Sequence, residues 1–138
     1  MLLRHFERNR ADFNRFSKTV YPVIKKYYRG DKLYLPLPEV VHRVEAQPGY
    51  SRFMRKFGIS NFSFWRIDNE HTGFFLTVDT TYFYTYKKGY AYLPVPPTDD
   101  LSSVVVNIDE VEIEALSETH RYFKHIEGNW YLFLVIVQ

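Results

Sequence analysis

The segment from Trp130 to Val137, WYLFLVIV, carries eight apolar or aromatic residues without a polar break. A strand with one face in water alternates apolar and polar positions, whereas a strand covered on both faces reads as a continuous apolar run. The segment is far shorter than the roughly 18 residues that a membrane-spanning helix needs. It is therefore expected to lie inside a sheet, with material packed on each side. Glu127-Gly128-Asn129 precedes it as a turn and joins it to THRYFKHIE, the second strand of a closing hairpin. Either Leu132, Leu134 and Ile136, or Tyr131, Phe133, Val135 and Val137, then face a helix, and the alternate set faces away.

The covering helix is found at the other end of the chain. Leu3, Phe6, Arg10, Phe13, Phe16, Val20, Ile24 and Tyr27 recur at three- and four-residue spacing, which predicts one amphipathic helix from about Leu2 to Tyr28. Arg10 is the polar break in its stripe. Pro22 predicts a kink or break near Thr19 to Tyr21, and Gly30 a stop. In DKLYLPLPEVVHRVEAQPGY the prolines at 36, 38 and 48 argue against a long regular element. A short helix from about Pro48 or Tyr50 to Phe57, ended by Gly58, is expected next. Leu33, Leu35, Leu37, Val40, Val41, Val44, Phe53 and Phe57 make residues 31–58 the expected cover for the sheet's second face. A homodimer through the sheet is the alternative.

After Gly58 the period changes to two. NFSFWRID, TGFFLTVD, YFYTYKKGYAYL and VVVNIDEVEIEAL read as strands, with Pro94-Val95-Pro96-Pro97 ending the third. Gly89 predicts a bulge or a positive backbone angle in the tyrosine-rich strand. Aromatics at 19% of the chain favour a β-rich assignment for this half. Helix first, then strands at hairpin distances, gives a single α+β domain: a long N-terminal helix packed on a curved, mostly antiparallel sheet.

Two stretches carry a resemblance. KKGYAYLPVPP followed by YFKHIEGNWYLFL resembles a group of small bacterial proteins of unknown function, through Lys88, Gly89, Tyr90 and Tyr92, then Ile126, Gly128, Trp130 and Tyr131. The resemblance covers about the last third of the chain and implies an N-terminal helix before an antiparallel sheet. Members of that group often carry a lipoprotein leader. Here Met1-Leu2-Leu3 is followed at once by Arg4, which is not a secretory apolar region. The sequence as given reads as cytoplasmic, or as exported or lipid-anchored if a leader was removed.

Composition and motifs exclude more chemistry than they nominate. The absence of cysteine rules out disulfides, thiolate metal sites and a cysteine nucleophile. His5, His42, His71, His120 and His125 show no zinc-hydrolase spacing, and no glycine-rich phosphate loop or Gly-x-Ser-x-Gly occurs. Asp99-Asp100 and the acidic residues from Asp109 to Glu114 lack a calcium-loop pattern and read as a solvated strand face. Asp68 and Asp79 form a carboxylate pair only if their strands align. No catalytic, cofactor-binding or metal-ligating residue is nominated.

Charge gives the remaining lead. Residues 1–58 hold 13 Lys and Arg against 5 Asp and Glu, a net +8, while residues 59–138 hold 5 against 11, a net −6. A basic helical layer beside an acidic sheet accounts for the division. The basic helix offers Arg8, Arg15 and Lys18 close together, interrupted by Glu7 and Asp12, which disfavours nucleic acid. The expected binding surface comprises Arg8, Arg15, Lys18, Tyr84, Tyr86 and Trp130. The reading is a non-catalytic domain that acts by binding a protein or a small ligand. An immunity or inhibitor protein that neutralises a toxin, and an enzyme with a pocket between helix and sheet, are the alternatives.

Overall fold

A computed structural model describes residues 2–29, 32–33, 35–67, 70–80, 85–97 and 120–137. Four helices come first: α1 (Leu2–Arg8), α2 (Arg10–Tyr27), α3 (Leu37–Glu45) and α4 (Tyr50–Lys56). A two-stranded ribbon, β1 (Tyr28–Arg29) and β2 (Lys32–Leu33), lies between α2 and α3. Then come β3 (Asn61–Arg66), β4 (Thr72–Thr80), β5 (Thr85–Tyr92), β6 (His120–Glu127) and β7 (Trp130–Val137). These five pair antiparallel in the order β3-β4-β5-β7-β6. The class is α+β, with the helices N-terminal.

β7 is interior, between β5 and β6. Trp130, Leu132 and Leu134 enter the larger core beneath the helices, and Tyr131 and Phe133 join a second buried cluster with Phe75, Ala91, Leu93 and Phe123. The unbroken apolar run is thus explained by burial on both faces. The hairpin turns at Gly128-Asn129, where Gly128 adopts φ +56, a left-handed conformation that favours glycine. Across β5 and β7, Tyr92 stands opposite Trp130 and Ala91 opposite Tyr131.

The helical layer departs from its sequence pattern in three places. The first break falls at Asn9 rather than near Thr19 to Tyr21. A continuous helix would carry Arg10 into the apolar stripe. The break turns Arg10 outward, where it pairs with Glu127 at 3.0 Å, and the Asn9 side chain donates to the His5 carbonyl at 2.8 Å. Pro22, by contrast, sits inside an unbroken α2. It is exposed, while Val20 and Ile24 on either side of it are fully buried and hold the helix to the core. Their burial, at roughly 1.5–3 kcal/mol per side chain, offsets the missing backbone bond.

Second, residues 37–45 form a nine-residue helix despite Pro38 within it and Pro36 just before it. Pro38 lies in its first turn, where a helix needs no amide donor. Third, the described part of residues 31–58 does not wrap over the far face of the sheet. Val44, Phe53 and Phe57 join the same core as Phe13, Phe16 and Leu132, so α3 and α4 lie on the α2 side. α3 and α4 pack against α2 and against each other, and Tyr50 of α4 also meets Phe62 of β3 at 6.0 Å, so the helices lie together on one side of the sheet. Among the described residues no helix packs over the second cluster.

α4 matches its expected span and ends as expected at Gly58, φ +63. Ile59 donates to Met54 at 2.9 Å and Gly58 to Arg55 at 3.3 Å, the paired bonds of a Schellman cap. Gly30 and the segment VVVNIDEVEIEAL lie outside the described residues, as do Tyr82 and the Asp99-Asp100 pair.

Gly89 has no positive φ, and the bulge it implied lies on the neighbouring strand. The β4–β5 register shifts between Thr77 and Asp79, opposite Gly89 and Lys88. A Cβ on Gly89 would collide with the Leu76 carbonyl oxygen and lie 3.0 Å from the Val78 nitrogen, both backbone atoms of the bulge. Gly89→Ala should therefore destabilise the fold by about 2–3 kcal/mol, as overpacking does. A urea melt measures this; a change within about 0.5 kcal/mol, the range of ordinary surface substitutions, would remove the close-approach argument.

Candidate functional site

The space between helices and sheet is filled by rings. Phe13 stands edge-on to Trp130 at 5.3 Å and meets Tyr90 at 4.7 Å, while Phe74 stacks on Tyr92 at 5.2 Å. Trp130 is 2% exposed, so it is a core residue and not part of a binding surface. Its indole N–H has no hydrogen-bonding acceptor among the described residues, and its ring is enclosed by Phe6, Phe13, Phe74 and Tyr92. The Tyr90 hydroxyl donates to the Leu2 carbonyl at 2.7 Å and ties the start of α1 to the sheet.

Concavity appears instead on the outer side of the helical layer. A cleft of about 550 Å³ lies between α2 and α4. Its α2 wall is built from positions 12, 15, 16, 19 and 20, which share one helical face. Its opposite wall begins at Pro48 and Gly49 and continues through α4. The left-handed φ of +83 at Gly49 lets the chain enter α4 directly after the turn. The floor is apolar: Phe16 and Phe53 stack at 4.1 Å with an interplanar angle of 18°, and Phe57 extends it.

The rim is cationic. Arg15 on α2 faces Arg52 and Lys56 on α4, and one carboxylate, Asp12, stands among them. Lys56 reaches Asp12 at 2.7 Å and Arg15 reaches it at 3.4 Å. The hydrogen bond from Lys56 does most to hold the Asp12 carboxyl below the usual carboxylate range. Partial burial opposes it, and the charges of Lys56, Arg15 and Arg52 add to the lowering. Three cations against one carboxylate leave the rim with a local excess of two positive charges. Among the described residues no ion pair holds Arg52. Tyr50, packed on Phe16, has its hydroxyl pushed up to about 12 by burial and by Glu45, so it presents a neutral ring at ordinary pH.

Of the surface expected from sequence, Arg15 alone lines this cleft. Arg8 and Lys18 are exposed on α1 and α2 but do not line it. Tyr84 lies outside the described residues, as does Asp68, and Tyr86 and Asp79 are placed only by their backbones in β5 and β4. Arg52, Lys56 and Asp12 were the residues missed as a site. The i, i+4 spacing of Arg52 and Lys56 places them on one face of a helix, but only the tertiary fold sets that face beside Arg15. Among the described residues no cluster of three or more His, Cys, Asp or Glu side chains could hold a metal ion, and no helix is long and apolar enough to cross a membrane.

Comparison with known proteins returns no matching family model, no matching curated protein and no matching solved structure.

Asp12→Asn tests the electrostatics of the rim. The half-exposed ion pairs it removes contribute less than about 1 kcal/mol. Because the folded carboxyl is held below its unfolded value near 3.8, the stabilisation is present above that pH and is lost as pH falls through the folded value. The wild-type and Asp12→Asn melting curves should differ slightly at pH 7 and converge in acid. A gap that widens below pH 3 would contradict the assignment.

Proposed function

We propose that this chain is a non-catalytic binding domain whose α2–α4 cleft takes an acidic group attached to an apolar body. The observation that carries the reading is the pairing of a cationic rim with an aromatic floor in one concavity. Guanidinium groups present planar, pre-organised donors to carboxylate or phosphate, and the floor supplies area for desolvation. Asp12 pairs with Arg15 and Lys56, so an incoming anion competes for them, while Arg52 is available without that competition.

The filled helix–sheet core gives no support to an enzyme built in that space. Apart from Asp12, which is held by Lys56 and Arg15, the groups lining the cleft are cations, a threonine and apolar side chains, a set suited to holding an anion and not to proton transfer at neutral pH.

The test is a titration of the labelled protein with 4-phenylbutyrate and with its neutral amide, followed by amide chemical shifts. The acid should shift Thr19, Gly49 and Arg52, and Arg52→Glu should weaken it about tenfold, the scale of one charge-assisted contact. Equal binding of the neutral amide, or shifts confined to other surfaces, would overturn the reading.

A further inference from the structure

The α2–α4 cleft continues. A second hollow of about 430 Å³ lies between α2 and α3, and its lining residues adjoin those of the first along the chain. On α2, Thr19 and Val20 of the first are followed within one turn by Pro22 and Val23 of the second. On the facing wall, Arg43, Ala46 and Gln47 of the second lead directly into Pro48 and Gly49 of the first. The helical layer therefore carries two hollows in line, with α2 on one side and α3, its turn and α4 on the other, and together they form a groove.

The two halves have the same make. In the first, Arg15, Arg52 and Lys56 stand over a floor of Phe16, Phe53 and Phe57. In the second, Lys26 and Arg43 stand over Val23, Ala46 and Tyr27, with the cations 5.1 and 5.0 Å from the Tyr27 ring centre. A single small anion accounts for one such hollow. Two hollows in line, each with an apolar floor and a basic rim, point to a longer ligand that repeats an apolar anchor among acidic groups.

We infer that the groove binds an extended acidic peptide segment of a partner protein that places two apolar side chains, four residues apart, in the two hollows. The inference rests on the binding reading above and names its ligand. The α2 residues lining the two halves centre about eight positions apart, or roughly 12 Å along the helix. An extended chain covers that in about four residues at roughly 3.3 Å each, and positions i and i+4 of such a chain point to the same side. Acidic residues between and beside the anchors then meet Arg15, Arg52, Lys26 and Arg43 at the rim. A concave channel favours a chain that enters it over a flat anionic surface. Apolar floors with no free aromatic face at Tyr27, whose ring already carries two cations, favour a peptide over stacked bases.

The probe is a fluorescein-labelled nine-residue peptide of Asp and Glu with leucines at its third and seventh positions, read by anisotropy. Binding should weaken at least about tenfold when the leucines are made adjacent, when the acids become their amides, and with either Arg52→Glu or Arg43→Glu, because separate anchors and charges contribute separately. Lys26→Glu provides a second variant of the α3 half should Arg43→Glu alter the melting curve. Indifference to leucine spacing, loss with Arg52→Glu but not with Arg43→Glu or Lys26→Glu, or tighter binding of an oligothymidylate of equal charge each overturns the inference. The 4-phenylbutyrate titration separates the two levels: if it still maps to Thr19, Gly49 and Arg52, the cleft remains an anion site and only the peptide assignment falls.

Discussion

The ring of Phe13 holds this structure together. It meets Phe6 of α1 at 4.9 Å, Phe53 of α4 at 5.1 Å, Phe57 at 4.8 Å, Tyr90 of β5 at 4.7 Å and Trp130 of β7 at 5.3 Å. One fully buried side chain on α2 thus touches α1, α4 and two strands of the sheet. Such aromatic contacts add roughly 0.5–1.5 kcal/mol each beyond the area they bury. They also fix position: with α2 held on the sheet by Phe13 and α4 held on α2 by Phe53, the line where the two helices diverge on the outer side is already determined. The groove is the outer consequence of an inner packing requirement.

That dependence explains how charge comes to line it. The helices spend their apolar stripes on the core, so the basic excess of residues 1–58 is left for the outer face. Arg15 is one residue before Phe16, and Arg52 is one before Phe53. A step of one residue turns about 100° around a helix, which carries the side chain from the buried seam to its rim. Each guanidinium is therefore anchored next to a core ring and projects beside the cleft. Asp12, the one carboxylate lining the cleft among the described residues, lies one residue before Phe13 and follows the same geometry.

Periodicity made the strands and α2 legible because burial acts at the spacing of the chain itself. The double burial of β7 was legible for the same reason: no polar residue interrupts Trp130 to Val137. What escaped were features decided by neighbours. Pro38 discouraged a helix until its place in a first turn was known, and Pro22 predicted a break that the burial of Val20 and Ile24 prevents. Asn9 gave a weaker local signal than proline, yet the chain breaks there because Arg10 cannot enter the core. The side of the sheet taken by α3 and α4 was not legible, since an apolar stripe specifies that a face is buried and not which partner buries it. Trp130 was misassigned to a surface because large aromatic residues serve both roles, and sequence carries no measure of depth. Arg15 was legible as a candidate; Arg52 and Lys56 were not, because their relation to it spans two helices.

Floor and rim also differ in how freely they can change. Phe16 and Phe53 are 5% and 7% exposed and belong to the same connected core as Trp130 and Leu132. Truncating either ring removes core packing worth about 3–5 kcal/mol, a large share of the stability of a domain this size. Arg15, Arg52, Lys56, Lys26 and Arg43 contribute little to that core, and exchanges among exposed charges alter stability by about 0.5 kcal/mol or less. The floor is therefore constrained by folding, whereas the rim is open to variation. Under the proposed binding role, discrimination among acidic ligands would reside in the number and placement of the rim cations, with the rings beneath them supplying a constant apolar contribution.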